Sequence, residues 1–117
     1  MEKIKIDKSL LAGSTSLLIL KLLEESDMYG YQMIETLSAR SEKVFELKAG
    51  TLYPLLHTLE QKGLVDAYEK EEAARVRRYY SLTRKGKHYL HEKEAEWREY
   101  ASAVNRVLGG FRNAEGV

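Results

Sequence analysis

The sequence predicts a mainly α protein with a small β-hairpin, and three observations carry that reading. Apolar residues recur at helical spacing in four stretches, around residues 10–23, 29–40, 48–63 and 86–108. Two short β-prone runs, Leu64 to Glu69 and Arg77 to Leu82, face each other across a charged loop. Capping or breaking residues, among them Asp27, Gly63 and Thr83, punctuate the chain between these stretches.

Length and composition bound the rest. A chain of 117 residues, 44% apolar and 32% charged, is one domain with a modest core and little room for an enzyme cleft. It contains no cysteine, which excludes disulfides and thiolate zinc sites. Its first residues, Met-Glu-Lys-Ile-Lys-Ile-Asp-Lys, lack the apolar run of a secretory signal, and no stretch reaches membrane-spanning length. A cytoplasmic location without a membrane partner is the expectation. Net charge is only +1, yet it is unevenly spread. From Ala73 to His91 the chain carries Arg75, Arg77, Arg78, Arg84, Lys85 and Lys87 and no acid; the acids flank that run, at Asp66 to Glu72 and Glu92 to Glu99. A local basic patch on a near-neutral protein suits site-specific nucleic-acid binding.

Asp7 or Ser9 is placed to cap a first helix that runs through Leu10, Leu11, Leu17, Leu18, Leu20, Leu22 and Leu23. Apolar positions nearly encircle its second half, which buries it on most sides. Gly13, Ser14 and Ser16 are small enough for another helix to approach closely. After a break at Ser26-Asp27-Met28, a second helix spans Tyr29 to about Arg40, introduced by Asp27 or Ser26 and buried along Met33, Ile34 and Leu37. Val44-Phe45-Glu46-Leu47 suits a short strand or an extended link into the third helix. That helix, within residues 48–63, buries Leu52, Leu55, Leu56 and Leu59 and stops at Gly63.

In the hairpin that follows, the loop at residues 70–76 lacks Gly, Asn and Pro, so a tight two-residue turn is not expected. Thr83 caps the last helix, along which Leu90, Glu94, Trp97, Ala101, Val104 and Leu108 form a heptad seam. At about 1.5 Å per residue this helix outruns the domain it grows from. Its apolar face is expected to meet a second copy of the chain, with Leu10, Leu17, Leu90, Trp97, Ala101, Val104 and Leu108 in a homodimer interface. Gly109-Gly110 ends it. The expected organisation is a DNA-binding domain at 1–82, a dimerisation helix at 83–110 and a flexible tail at 111–117.

Helix, helix, short strand, helix, hairpin, helix is the order of a winged helix-turn-helix, here with a long C-terminal dimerisation helix. The third helix is the one to enter the major groove. Its opening presents Gly50, Thr51, Tyr53 and Pro54: the glycine lets the backbone approach a phosphate, and free N–H groups favour that anion. Thr51 and Tyr53 are suited to bond phosphate or a base edge. Pro54 is expected just inside the helix start, where little backbone bonding is lost. His57 follows one turn later, facing base, phosphate or solvent. Tyr31 and Lys48 are candidate phosphate contacts from the side of the second helix, while Arg75, Arg77 and Arg78 place cations on the wing. Strand alternation puts Arg77 with Tyr79 on one face and Arg78 with Tyr80 on the other, so one pair is expected to pack inward and the other to reach DNA. No arginine stands in the first turn of the third helix for bidentate guanine readout, so specificity is expected to rest on few contacts and DNA shape. Two copies joined at the seam would set two such helices about 34–36 Å apart on a palindromic operator.

The residues themselves go further than this order. Leu17-Leu18-Ile19-Leu20-Lys21-Leu22-Leu23, Tyr29-Gly30-Tyr31, Gly50-Thr51-Leu52-Tyr53-Pro54-Leu55-Leu56 and Leu59-Glu60-Gln61-Lys62-Gly63-Leu64-Val65 closely resemble the PadR family of bacterial transcriptional regulators. The likeness continues through Arg78-Tyr79-Tyr80-Ser81-Leu82-Thr83-Arg84-Lys85-Gly86 and covers about residues 10–90. It departs from the family at Tyr29, often histidine there, and at Ala73, Ala74 and Val76, where the family's wing has glycines. A single C-terminal helix resembles the shorter of the family's two size classes. The resemblance implies a repressor that leaves promoter DNA when a signal binds. Some members of the family bind flat aromatic compounds at such an interface, and by that resemblance Trp97, Tyr100 and Ser14 are the candidate effector site here; the alternative is that Trp97 simply fills the interface.

Two other classes compete. His88, His91 and Glu92 have a spacing open to a metal-dependent enzyme, but no further ligand set, phosphate loop or nucleophile elbow accompanies them. No metal and no cofactor is expected. A winged helix that binds protein rather than DNA is the other, and the basic run weighs against it.

Overall fold

A computed structural model describes residues 4–109. Among these the chain forms α1 (Lys8–Ala12), α2 (Thr15–Glu25), β1 (Met28–Tyr29), α3 (Gly30–Arg40), α4 (Ala49–Gln61), β2 (Val65–Glu72), β3 (Arg75–Leu82) and α5 (Arg84–Leu108). This is a mainly helical winged helix with a long C-terminal helix, as its sequence predicts. The expected tail at 111–117, and Gly110 before it, lie outside the described residues. No helix among those described is long and apolar enough to cross a membrane.

Asp7 caps α1, its carboxylate accepting the Ser9 N–H at 3.1 Å. The expected single first helix is instead two, interrupted at Gly13 and Ser14. Glycine is a poor helix former. The Ser14 and Thr15 hydroxyls both donate to the Leu11 carbonyl, giving it partners outside the helical ladder.

The second expected helix starts one residue late, because Met28 and Tyr29 are drawn into the sheet. Tyr29 takes the N-cap position without a side-chain cap, and Asp27, the expected cap, is held by the Tyr68 hydroxyl at 2.7 Å. Residues 44–47 form no strand but a bend at Val44 and an irregular link into α4; the short strand lies at 28–29 instead. The link into α4 passes through two consecutive left-handed residues, Glu42 (φ 52°) and Lys43 (φ 69°). The Ser41 hydroxyl braces this turn, donating to the Leu37 carbonyl at 2.8 Å and accepting the Phe45 N–H at 2.9 Å.

The sheet is antiparallel in the order β1-β3-β2. β3 pairs with β2 along its whole length, from Val65 with Leu82 to Glu72 with Arg75. That register leaves two residues for the reversal, Ala73 (φ 49°) and Ala74 (φ 64°), so the turn is tight after all. Positive φ at both central positions matches the twist of the strands. The ladder imposes it on two alanines, at a cost of about 1–2 kcal/mol each.

The core gathers α2, α3, α4 and the root of the hairpin, with Ile19, Leu20, Met33, Leu52, Leu56, Val65 and Leu90 wholly buried. Each such side chain contributes about 1.5–3 kcal/mol by leaving water. Gly63 (φ 76°) ends α4 as expected: its N–H bonds the Glu60 carbonyl and the Leu64 N–H bonds the Leu59 carbonyl, both at 3.0 Å. Thr83 caps α5, accepting the Gly86 N–H at 2.8 Å, while its hydroxyl donates to the Gly63 carbonyl at 2.7 Å. The end of α4 is thereby pinned to the start of α5.

Candidate nucleic-acid interface

α4 begins at Ala49 with Lys48 at the N-cap and no side-chain cap. The N–H groups of Thr51 and Leu52 both bond the Lys48 carbonyl at 2.9 Å, so those of Ala49 and Gly50 have no helical acceptor. Beyond Gly50 lies open space: an added Cβ would meet nothing within 4 Å. Lys48, Gly50, Thr51, Tyr53, Pro54 and His57 are all exposed, while Leu52, Leu56 and Leu59 anchor the opposite face. The helix therefore offers one uncharged polar surface. Pro54 is not at the helix start, because α4 begins at Ala49 and the proline falls in its second turn. It removes the N–H that the Gly50 carbonyl would have accepted.

Tyr53 is 45% exposed, but its ring leans over the N-terminus of α3. A Cβ at residue 30 would fall 2.2 Å from its hydroxyl, so Gly30 makes the room for it. Tyr31 is 61% exposed on α3. It lines an open groove of about 510 Å³ with Ile34, Leu47 and three carboxylates, Glu35, Glu42 and Glu46.

The wing differs most from expectation. Neither arginine–tyrosine pair is free: Tyr79 and Tyr80 are both buried, on opposite faces of the sheet. Tyr80 joins the core, whereas Tyr79 lies under a separate aromatic cluster. It stacks on Tyr68 at 5.8 Å and meets the edge of Tyr29 at 5.4 Å. Its hydroxyl donates to Glu72 at 2.5 Å, which holds that carboxyl below its usual range and raises the phenol. Arg77 lies 4.4 Å over the Tyr29 ring and 3.8 Å from Glu72. Arg78 reaches the Tyr80 hydroxyl and Glu60 of α4, each at 3.3 Å. Arg75, at the tip, is exposed.

Folding also cancels the basic run. β2 and β3 together carry four acids and four bases, and the register sets Glu69 against Arg78 and Glu72 against Arg75. Tyr29, Tyr68, Glu60 and Glu72 escaped the sequence reading. Glu72 with Arg75 and Glu69 with Arg78, opposite charges equally spaced about Ala73-Ala74, were a weak signal for a two-residue turn, weakened by the like pair Lys70 and Arg77.

α5 packs its first half on the domain, where Leu90 is wholly buried and therefore out of a partner's reach. Ion pairs extend this seat: His91 with Glu24 at 2.8 Å, Lys21 with Glu24 at 3.0 Å and with Glu94 at 3.7 Å, and Arg98 with Glu94 at 3.1 Å. The bonds from His91 and then Lys21 hold the Glu24 carboxyl below its usual range. Beyond this network Trp97, Tyr100, Val104, Val107 and Leu108 stand exposed, as does Leu10 on α1. Trp97 and Tyr100 pair at 5.9 Å; Ala101, Leu17 and Ser14 are half-buried. His88 turns to Glu92, and among the described residues no group of three potential metal ligands assembles.

Residues 19–92 match the transcriptional regulator PadR-like family. The transcriptional regulator Rv3488 of Mycobacterium tuberculosis is 33% identical over 98 residues, spanning 84% of this chain and 86% of its own. A transcriptional regulator from Clostridium thermocellum superposes with a TM-score of 0.80 at 31% identity, covering 86% of this chain and 96% of that one. A PadR family regulator from Eggerthella lenta gives 0.77 at 32% identity over 86% and 87% of the two chains. With a family match over residues 19–92 and relatives more than 30% identical over most of the chain, the chain belongs to the PadR-like family of transcriptional regulators, and it is a regulator rather than an enzyme.

Proposed function

We propose that the protein is a homodimeric repressor that binds a palindromic operator in double-stranded DNA and leaves it when a small-molecule signal binds. The observation that carries this reading is the uncharged polar face of α4, held outward by buried Leu52, Leu56 and Leu59. Thr51, Tyr53 and His57 supply donors and acceptors to the groove, and Gly50 with its unpaired neighbouring N–H groups supplies a phosphate seat. Lys48 at the N-cap of α4 and exposed Tyr31 on α3 add candidate phosphate contacts to that helix, and the wing adds its own. Thr83 divides the DNA-binding domain from the dimerisation helix, whose exposed Trp97, Val104 and Leu108 and half-buried Ala101, with Leu10 and Leu17, form the seam between copies. Trp97, Tyr100 and Ser14 are the place for a flat aromatic effector. A cytoplasmic location goes with this reading.

The electroneutral wing gives a second reading, a protein-binding winged helix, one specific point in its favour. Selection of genomic fragments from the parent organism by the purified protein separates the two. Enrichment of a fragment with an inverted repeat, and its release by one member of a small-aromatic panel, is the expected result. No enrichment over bulk DNA at low salt sinks the DNA reading.

A further inference from the structure

We propose that the wing offers DNA one arginine per protomer, Arg75, and that Arg77 and Arg78 are positioning residues that hold the wing to the helix-turn-helix. This rests on the DNA-binding reading above. A guanidinium that already faces a carboxylate or a ring has part of its charge offset and its direction fixed, so it gains less from a phosphate than a free one does, even with N–H groups to spare. Arg77 is engaged by the ring of Tyr29, the residue that opens α3, and by Glu72. Arg78 is engaged by the Tyr80 hydroxyl and by Glu60 in the last turn of α4. The two arginines thus tie β3 to the two helices whose spacing from the wing must be fixed. Arg75 gives up nothing: it is exposed and makes no ion pair or side-chain hydrogen bond among the described residues. Its cross-strand neighbour, Glu72, is already shared between the Tyr79 hydroxyl at 2.5 Å, Lys70 at 3.7 Å and Arg77 at 3.8 Å. The turn before Arg75 consists of two alanines, whose methyl groups leave its approach clear.

The salt dependence of binding distinguishes a phosphate contact from a strut, because the slope of log K against log salt counts displaced counterions. Binding of the selected fragment is measured by fluorescence anisotropy across a salt series, with circular dichroism melts to verify folding. Arg75→Ala is expected to flatten the slope by about 0.9 for each wing bound, and Arg75→Lys to restore it. Arg77→Ala and Arg78→Ala are expected to lower affinity at every salt concentration with the wild-type slope. Removing the partner instead of the arginine gives the second test. Glu60→Gln and Tyr29→Leu should weaken binding by about two- to fivefold, the scale of an exposed pair; if Arg77 and Arg78 met DNA, freeing them would tighten it. An unchanged slope in Arg75→Ala, a flattened one in Arg77→Ala or Arg78→Ala, or tighter binding by Glu60→Gln overturns the assignment and leaves the DNA reading standing. A wild-type protein that retains no fragment overturns both.

Discussion

At Gly30 and Gly86 a methyl group has nowhere to go, but the obstacles differ in kind. A Cβ at residue 30 would meet the hydroxyl and ring of Tyr53, a side chain with an open path into solvent. At residue 86 it would fall 2.0 Å from the Leu64 carbonyl oxygen, backbone that is pinned by Thr83. Gly86→Ala is therefore expected to lower stability by about 1–3 kcal/mol or more. Gly30→Ala should cost well under that while moving Tyr53 on the proposed DNA-facing surface, so on that reading its effect appears in DNA affinity rather than in the melting temperature. Equal losses of stability in the two variants would refute this. Tyr68 gives a second expectation. Its hydroxyl donates to Asp27, and that bond, aided by desolvation, pushes the phenol from 10.0 up to about 12. The neutral phenol is the bonded form, so the contact is fully present below pH 10 and is lost as pH rises through about 12. Ultraviolet titration should find Tyr68 and Tyr79 late, and Asp27→Asn should return Tyr68 alone towards the others; an alkaline titration indifferent to that change contradicts the bond.

The hairpin turn stores strain that its sequence does not relieve. Ala73 and Ala74 both hold positive φ, where asparagine and glycine are at ease. Ala73→Asn combined with Ala74→Gly should stabilise the fold by about 1–2 kcal/mol, read as a higher melting temperature; no gain would mean that the wing tip is not a two-residue turn. The same turn shows where sequence reading stops. α4 and α5 were legible because their signals are local: buried leucines at helical spacing, Gly63 behind one and Thr83 before the other. The turn was not, since its residues lack the usual chemistry and the geometry is imposed by pairing from Val65 to Leu82. β1 was displaced for a similar reason. Met28 and Tyr29 carry no periodicity of their own and become strand only because Tyr80 and Tyr79 lie beside them. The candidate residues on α4 are exposed as expected, with only Pro54 displaced, from the helix start into its second turn, but the basic run was counted without the acids that the hairpin folds against it.

The longest dimension of the described chain is 59 Å, against 36 and 22 Å for the others, and α5 is its longest helix. The first half of α5 is seated by Leu90 and by the pairs among Lys21, Glu24, His91, Glu94 and Arg98. The second half leaves Trp97 at 47%, Tyr100 at 62% and Leu108 at 77% exposure, on a helix whose own domain has no more surface to offer them. Such an apolar row is stable in water when a second copy covers it, and a two-fold seam does so with one surface. Trp97→Asp puts a carboxylate in the middle of that row without touching the buried core, so each protomer should keep its fold while the dimer separates. On the proposed dimer, sedimentation velocity is expected to show two chains for the wild type and one for the variant. Operator affinity should fall by about a hundredfold or more, because joined half-sites gain that much from effective concentration. The loss should be confined to paired sites: an isolated half-site should bind the variant and the wild-type protomer equally. A Trp97→Asp protein that still sediments as a dimer would move the seam away from α5, and with it the spacing at which two copies of α4 meet DNA.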